Sequence, residues 1–191
     1  MPRHKKVDDA SVLKMILDVI VQQGAMQFSL EDLSKKTTLS PATLLQRFGS
    51  KKNILHKALE LANQDLKKDL MALDLANKSP LDEIINIYLE LALPFAQPMD
   101  IANGLDILKL DISDKKLNDL TRKYFEIRRN KIESLICVAQ ERGELSSTIT
   151  PDQIAWNLEC LWQGSIMLWA LIGKGGLPQW LKKRLLTYLE S

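Results

Sequence analysis

Apolar residues recur along the first part of the chain with the period of an α-helix. Leu13, Ile16, Leu17, Ile20 and Val21 fall at i, i+3, i+4, i+7 and i+8, so they form one stripe of a helix from about Asp9 to Gln23. Gly24 follows as a natural helix end. The pattern predicts an amphipathic helix with its apolar stripe against a core.

Two short helices joined by a tight turn come next. Ser29, with Asp32 three residues later, has the spacing of a capping box and predicts a second helix with Leu30 and Leu33 facing inward. Lys36–Leu39 form the turn, and Ser40 with Pro41 starts a third helix. Leu44 and Phe48 are four residues apart and therefore share one buried face, and Gly49-Ser50 ends the helix.

The remaining chain continues the helical pattern without a strand signal. We expect helices over Lys51 to about Asn77, Leu81–Leu93, Pro98 to about Asp111, Ser113 to about Arg142, Pro151–Ile172 and Pro178 to about Glu190. The sequence thus predicts an all-α protein of about nine helices. We expect a three-helix module with a helix-turn-helix in residues 1–50 and a larger helical domain in residues 51–191.

Charge is unevenly distributed between these two parts. Residues 1–57 hold ten Lys or Arg and five Asp or Glu, whereas the remainder holds 16 and 19. A basic front favours a polyanionic partner for that part alone, although a solvated basic surface would have the same composition.

The composition excludes several other classes of protein. Cys137 and Cys160 are far apart and have no metal-ligand spacing, so we expect reduced thiols, no metal and no cofactor. The polar residues Asn157, Glu159 and Gln163 interrupt the longest apolar stretch, which indicates a buried helix and no membrane span. The charged N-terminal residues lack a secretory core, so we expect a cytoplasmic protein.

The third helix has the side chains of a DNA-reading helix. Because Leu44 and Phe48 pack inward, the other residues stay outward, with small ones at the helix start that allow close approach to base edges. Gln46 can pair with adenine, Arg47 with guanine or phosphate, and Lys51 lies at a helix N-terminus that attracts phosphate. The predicted DNA contacts are Ser29, Ser40, Pro41, Ala42, Thr43, Leu45, Gln46, Arg47 and Lys51.

These residues resemble the TetR family of bacterial transcriptional regulators over about residues 10–58. The matching positions are Ile16-Leu17, Gly24, Ser29, Leu33-Ser34, Thr37–Ser40, Thr43–Leu45, Phe48 and Ser50-Lys51, with weaker matches at Arg142–Leu145, Thr150-Pro151, Ala155, Gly164 and Trp169. Two positions depart from the family pattern: Thr38 replaces the turn glycine, and Leu45 replaces the tyrosine that usually touches a phosphate.

The resemblance implies a homodimeric repressor that binds a near-palindromic operator in double-stranded DNA. It also implies a small-molecule effector, for which an apolar cavity would favour a hydrophobic or aromatic compound. Candidate ligand contacts are Tyr88, Phe95, Met99, Leu105, Tyr124 and Trp162. Candidate dimer contacts, on two strongly apolar C-terminal helices, are Trp156, Met167, Trp169, Trp180, Leu181 and Leu185.

Two other functions compete with this prediction. An α-helical enzyme would need a catalytic constellation, but His4 and His56 are the only histidines and no nucleophile–base pair stands at a telling spacing. Activity that survives removal of residues 1–58 would favour the enzyme. A helical partner-binding module that has lost DNA binding is the alternative prompted by Thr38 and Leu45, and DNA affinity that is absent or indifferent to salt would favour it.

Overall fold

The structure is a computed structural model in which residues 7–72 and 79–190 are described. Throughout these ranges the regular secondary structure is helical, which confirms the predicted all-α fold. The described part of the chain contains nine helices: α1 Asp9–Gln23, α2 Leu30–Thr37, α3 Pro41–Phe48, α4 Lys51–Ala72, α5 Pro80–Leu91, α6 Pro98–Ser113, α7 Lys115–Glu141, α8 Pro151–Ile172 and α9 Leu177–Leu189. Among the described residues, no helix is both long and apolar enough to cross a membrane.

Three helices begin with a hydroxyl residue followed by proline, as the sequence predicts. The hydroxyl oxygens of Ser40, Ser79 and Thr150 accept hydrogen bonds from backbone N–H groups three residues later, at 3.1, 3.4 and 3.4 Å. The proline that follows lacks an N–H, but the first turn of a helix leaves that group without a partner in any case. The first residue of each of these three helices is therefore determined by residues that are close to it in the sequence.

Some predicted helix ends need correction. Helix α5 ends at Leu91, two residues before the predicted end, and the last predicted residues of α4 lie outside the described ranges. Ser113 does not start α7; it ends α6. Asp114 caps α7 instead, with Oδ1 accepting the N–H groups of Lys116 and Leu117 at 3.0 and 3.3 Å. A carboxylate is a strong acceptor at this position because the helix N-terminus carries partial positive charge.

The described chain divides into two compact units. The first contains the described residues up to Leu66 together with Ala102–Thr121, and the second contains Lys67–Ile101 and the described residues from Arg122 onward. Helices α4, α6 and α7 contribute residues to both units. The first unit is larger than the predicted 1–50 module, and the functional boundary at residue 50 stays a prediction.

The core of the first unit holds the helix-turn-helix together. Leu33 of α2 and Leu44 and Phe48 of α3 are buried against α1 and the first part of α4. In α1 the buried face is Val12, Leu13, Ile16, Val19 and Ile20, so the stripe is rotated slightly from the predicted one. Leu117, at the start of α7, joins the same core.

In the second unit, α8 packs against α9, and α9 packs against α5. Trp169, Leu181 and Leu185, which we predicted at a dimer interface, are buried within this single chain. All four tryptophans and all three tyrosines of the sequence belong to this unit: Trp156, Trp162, Trp169, Trp180, Tyr88, Tyr124 and Tyr188.

Candidate nucleic-acid interface

The turn between α2 and α3 has the left-handed residue that the family pattern suggests, but a threonine occupies it. Thr38 has φ 59° and ψ 12°, and its N–H closes α2 on the Ser34 carbonyl at 2.9 Å. The preceding Thr37 is buried, and its hydroxyl donates to the Leu33 carbonyl at 2.7 Å. A β-branched residue is strained in this region, so the turn is formed at a cost in backbone energy.

Helix α3 presents a small and polar face to solvent. Ala42, Leu45 and Gln46 are exposed, whereas Leu44 and Phe48 are buried on the opposite side. Thr43 is half-buried, and its hydroxyl lies 2.9 Å from that of Ser40. Leu45 is 39% exposed, which leaves an apolar side chain available to a partner such as a thymine methyl group.

Arg47 differs from the other predicted contacts because its guanidinium is used inside the protein. Nε donates to Asp9 Oδ1 at 2.9 Å, and Nη2 donates to the Val7 carbonyl at 2.8 Å. Nη2 also pairs with the Asp9 carboxylate, and the side chain is 13% exposed. The structure therefore does not place Arg47 with the outward group, because an acidic partner 38 residues earlier engages it.

The start of α4 lies beside this face and can hold an anion. Ser50 caps the helix by accepting the Asn53 N–H at 3.2 Å. Lys51 follows at the first turn, exposed to solvent, with Nζ 4.4 Å from the centre of the Phe28 ring. Two features that attract phosphate thus coincide here, a helix N-terminus and a lysine.

Ser29, the remaining predicted contact, serves as a helix cap. Its hydroxyl accepts the Asp32 N–H at 3.1 Å, and its backbone N–H donates to Asp32 Oδ2 at 2.9 Å, which completes the predicted capping box. The hydroxyl also donates to Asp32 Oδ2 at 2.5 Å. These hydrogen bonds from the Ser29 hydroxyl and backbone lower the pKa of Asp32. The hydroxyl of Ser29 is therefore engaged locally, and its contact with DNA stays a prediction.

A charged cluster that sequence reasoning missed joins α4 to the start of α7. Asp114 Oδ2 lies 2.8 Å from Lys52 Nζ and 3.3 Å from His56 Nε2. The hydrogen bond from Lys52 is the main cause that lowers the pKa of Asp114 to about 2. Lys52 is thus partly neutralised, which leaves Lys51 as the better phosphate ligand at this helix start.

A buried ion pair in the second unit was also missed. Arg128 of α7 donates to Glu159 of α8 through Nε at 2.7 Å and Nη2 at 2.5 Å, and both residues are buried. The Tyr88 hydroxyl donates to Glu159 at 3.2 Å, and the Trp162 ring centre is 5.9 Å from the guanidinium carbon. Arg128 and Glu159 are 31 residues apart, so nothing local in the sequence indicates the pair.

The predicted ligand contacts separate into two groups. Tyr88, Tyr124 and Trp162 are buried around Arg128, with the Tyr124 ring centre 5.0 Å from its guanidinium carbon. Phe95 is half-buried, and Met99 and Leu105 are exposed. Leu105 belongs to the first unit, so the six residues do not form one cluster within the second.

The exposed apolar surface of α8 also differs from the predicted interface. Trp156 is exposed and Met167 is half-buried, as an interface would require. Trp180 is half-buried, and its Nε1 donates to the Ser165 carbonyl at 3.0 Å. Three further apolar side chains of α8 that were not among the predicted contacts are also exposed: Leu168, Leu171 and Ile172. An apolar helix does not reveal from sequence which of its faces its own chain covers.

Comparison with solved structures identifies the fold. A putative TetR-family transcriptional regulator from Rhodococcus sp. matches with a TM-score of 0.71 and 20% identity, covering 95% of this chain and 96% of that one. A putative transcriptional regulator from Saccharomonospora viridis, solved in complex with choline, matches with a TM-score of 0.74 and 20% identity, covering 94% and 93%. The reduced form of NemR from E. coli matches with a TM-score of 0.73 and 17% identity, covering 94% of this chain and 93% of that one.

The chain therefore has the fold of TetR-family regulators over nearly its whole length. No protein-family model matches the sequence, and a search of curated proteins finds no match. At these identities the likeness identifies the fold alone, and the function depends on the site described above.

Proposed function

We propose that this chain is a sequence-specific, DNA-binding transcriptional regulator of the TetR family that acts in the cytoplasm. The observation that carries the proposal is the outward face of α3. Ala42, Leu45 and Gln46 are exposed while Leu44 and Phe48 fix the helix to its core. A helix presented in this way by a helix-turn-helix can lie in the major groove.

Each exposed group has a distinct role in this proposal. Gln46 pairs with an adenine edge, and Leu45 packs against a thymine methyl group. Lys51 and the N–H groups at the start of α4 bind a backbone phosphate, which sets the register without reading sequence. Arg47 is not assigned a base, because Asp9 and Val7 already engage it.

Operator selection followed by fluorescence anisotropy tests this function. We expect enrichment of a near-palindromic site. Gln46→Ala should relax the base preference at one base pair. Lys51→Ala should weaken binding to all sequences alike and reduce the slope of log affinity against log salt by about 1. Gln64→Ala, at an exposed position of α4, is the matched control and should leave the base preference and the salt dependence of binding unchanged.

The selection can also reject the proposal. Failure of the full chain to enrich any palindromic site, or affinity that is indifferent to salt, would contradict it. That result would favour the helical partner-binding module, for which the exposed Leu45 on α3 is the supporting observation.

We further propose that the regulator is a homodimer, which a near-palindromic site with half-sites about 34 Å apart requires. The exposed apolar residues Leu168 and Leu171 on α8 support an interface there. Leu171→Lys should shift the protein toward the monomer in sedimentation velocity. Ile112→Lys, at 71% exposure compared with 75% for Leu171, should not. A monomeric parent protein at micromolar concentration would contradict the dimer.

Finally, we propose that a small hydrophobic or aromatic effector releases the protein from its operator. The effector would bind in the second unit and favour a conformer in which the two α3 helices no longer match the half-sites, which requires different affinities for the two conformers. The buried aromatic residues Tyr88, Tyr124 and Trp162 support an aromatic-lined site. A thermal-shift screen should find compounds that raise the melting temperature and weaken operator binding together. Compounds that stabilise the protein with unchanged DNA affinity would contradict this role.

A further inference from the structure

Helices α4 and α7 both begin with two lysines. Lys51 and Lys52 occupy the first turn of α4, and Lys115 and Lys116 occupy the first turn of α7. All four residues are exposed, and neither first turn contains an acidic residue. In contrast, α1, α2, α5, α6 and α8 each have an acidic residue in this turn. Because a helix N-terminus carries partial positive charge, two lysines at this position oppose helix stability.

The fold brings these two lysine pairs together within the first unit. Asp114, the residue before α7, has Oδ2 at 2.8 Å from Lys52 Nζ, while its Oδ1 accepts the N–H groups of Lys116 and Leu117. Leu117 is buried in the same core as Ile54 of α4. An ion pair and a shared core therefore hold the starts of α4 and α7 side by side. We call the four lysines of these two helix starts the basic corner.

The basic corner has more positive charge than its surroundings neutralise. Asp114 forms an ion pair with Lys52. Among the residues that the structure describes, no carboxylate forms an ion pair with Lys51, Lys115 or Lys116. Three of the four ammonium groups are therefore available to an anionic partner, and Lys52 adds to the positive potential around them.

We propose that the basic corner binds the phosphate backbone of DNA beside the segment read by α3, so that Lys115 and Lys116 extend the contact made by Lys51. The proposal rests on the proposed DNA-binding function and adds to it a contact region on α7, outside the helix-turn-helix. Phosphates of one strand repeat every ~3.4 Å along the duplex axis, so two neighbouring lysine pairs can face several of them. Lysine suits this role because its ammonium group is a compact charge on a flexible stem.

The test uses the full chain on its selected operator, with affinity measured by fluorescence anisotropy from low to high salt. In Lys115→Gln/Lys116→Gln, the slope of log Kobs against log salt should fall by about 2 per protomer, and affinity at low salt should fall about tenfold or more. The preference between operator sequences should stay the same, because phosphate contacts carry no sequence information. Ethylation of individual phosphates should interfere with binding of the parent chain at positions where it no longer affects the variant.

A measurement of stability separates this role from a structural one. Lys115→Gln/Lys116→Gln removes two charges that repel the positive end of α7 and the lysines of α4. The variant should therefore melt at the temperature of the parent chain or a few degrees above it, so that its weaker binding does not result from lost structure. Lys115→Arg/Lys116→Arg keeps the charges and should retain the parent slope. If the arginine variant lost the slope as the glutamine variant does, phosphate binding by these charges would be overturned.

The matched control removes the same charge from the same helix. Arg122 and Lys123 are adjacent and exposed on α7, about two turns beyond Lys115 and Lys116. Arg122→Gln/Lys123→Gln should leave the salt slope and the ethylation pattern unchanged. An equal fall of the slope in the control and in Lys115→Gln/Lys116→Gln would show an effect of net charge alone and would overturn the basic corner.

The failures of the two proposals are distinguishable. If the parent chain selects no operator, the proposed DNA-binding function is overturned. The basic corner alone is overturned if the parent chain binds its operator and Lys51→Ala lowers the salt slope, but Lys115→Gln/Lys116→Gln keeps the parent slope and ethylation pattern.

Discussion

The threonine at the turn of the helix-turn-helix gives the most direct stability prediction. Thr38 has φ 59° and ψ 12°, its side chain is exposed, and its backbone N–H donates to the Ser34 carbonyl at 2.9 Å. Replacing it with glycine removes the Cβ that makes this conformation unfavourable and keeps the backbone hydrogen bond. Thr38→Gly should therefore stabilise the first unit.

The expected magnitude is the difference of two opposing effects. A left-handed conformation costs an L-residue about 1–2 kcal/mol. The greater freedom of glycine in the unfolded chain costs about 0.5–1 kcal/mol. The midpoints of the two ranges give a net gain of about 0.75 kcal/mol, equivalent to a rise of about 1.5–3 °C in melting temperature for a chain of this size. Thr38→Asn should gain less, because asparagine tolerates this conformation but keeps a Cβ.

The assay can separate the two units because amide hydrogen exchange reports on the opening of individual helices. Amide hydrogen exchange of the buried residues of α1–α3 should slow about two- to fivefold in Thr38→Gly. Thr187→Gly, at an exposed position of α9, is the control and should destabilise the second unit by about 0.5 kcal/mol. If the amides of α1–α3 exchanged at the parent rate or faster in Thr38→Gly, and the control behaved as expected, the claim that Thr38 is strained would be refuted.

Two further predictions concern buried charge. Arg128→Met leaves Glu159 buried without its cationic partner and should cost about 3–5 kcal/mol, whereas Arg128→Met/Glu159→Leu should recover most of that loss in urea unfolding followed by tryptophan fluorescence. A double variant as unstable as the single one would contradict this. Burial raises the pKa of Asp111 to about 6, against the effect of its hydrogen bond with Thr121. Because the buried site favours the neutral carboxyl group of Asp111, stability from this group is fully present below its ordinary pKa of 3.8 and is lost as pH rises through about 6. Asp111→Asn should therefore stabilise the protein by about 1 kcal/mol at pH 7.5, after allowance for solvent screening, and by much less at pH 4. Equal effects at both pH values would contradict the shift.

Features that depend on neighbouring residues were predictable from sequence. Ser40-Pro41 and Thr150-Pro151 start their helices as expected, and Ser29 with Asp32 forms the predicted capping box. The positive φ of Thr38 agrees with its position in place of the turn glycine of the family pattern, which is information from the resemblance and not from neighbouring residues. The hydrogen bonds that form these helix starts join residues three positions apart, so the residues that determine them are close together in the sequence.

Features that depend on distant residues were not predictable. From sequence, Arg47 is a plausible DNA contact, but in the folded chain its guanidinium donates to Asp9, 38 residues earlier. Arg128 and Glu159 are 31 residues apart, and they form an ion pair because α7 lies against α8. Trp169 and Leu181 are apolar residues on apolar helices, and only the packing of α8 on α9 decides that they are core. Helix periodicity gives the faces but does not identify which partner covers each one.

The burial of Leu44 has a consequence for the choice of bases. An α-helix rotates by about 100° with each residue, so the azimuth of every side chain on α3 follows from that of any one of them. Leu44 is buried in the core, and Gln46 therefore leaves the helix axis about 200° away, on the exposed side. A substitution at Leu44 that rotated α3 would change the sequence preference of the protein although that side chain never touches a base.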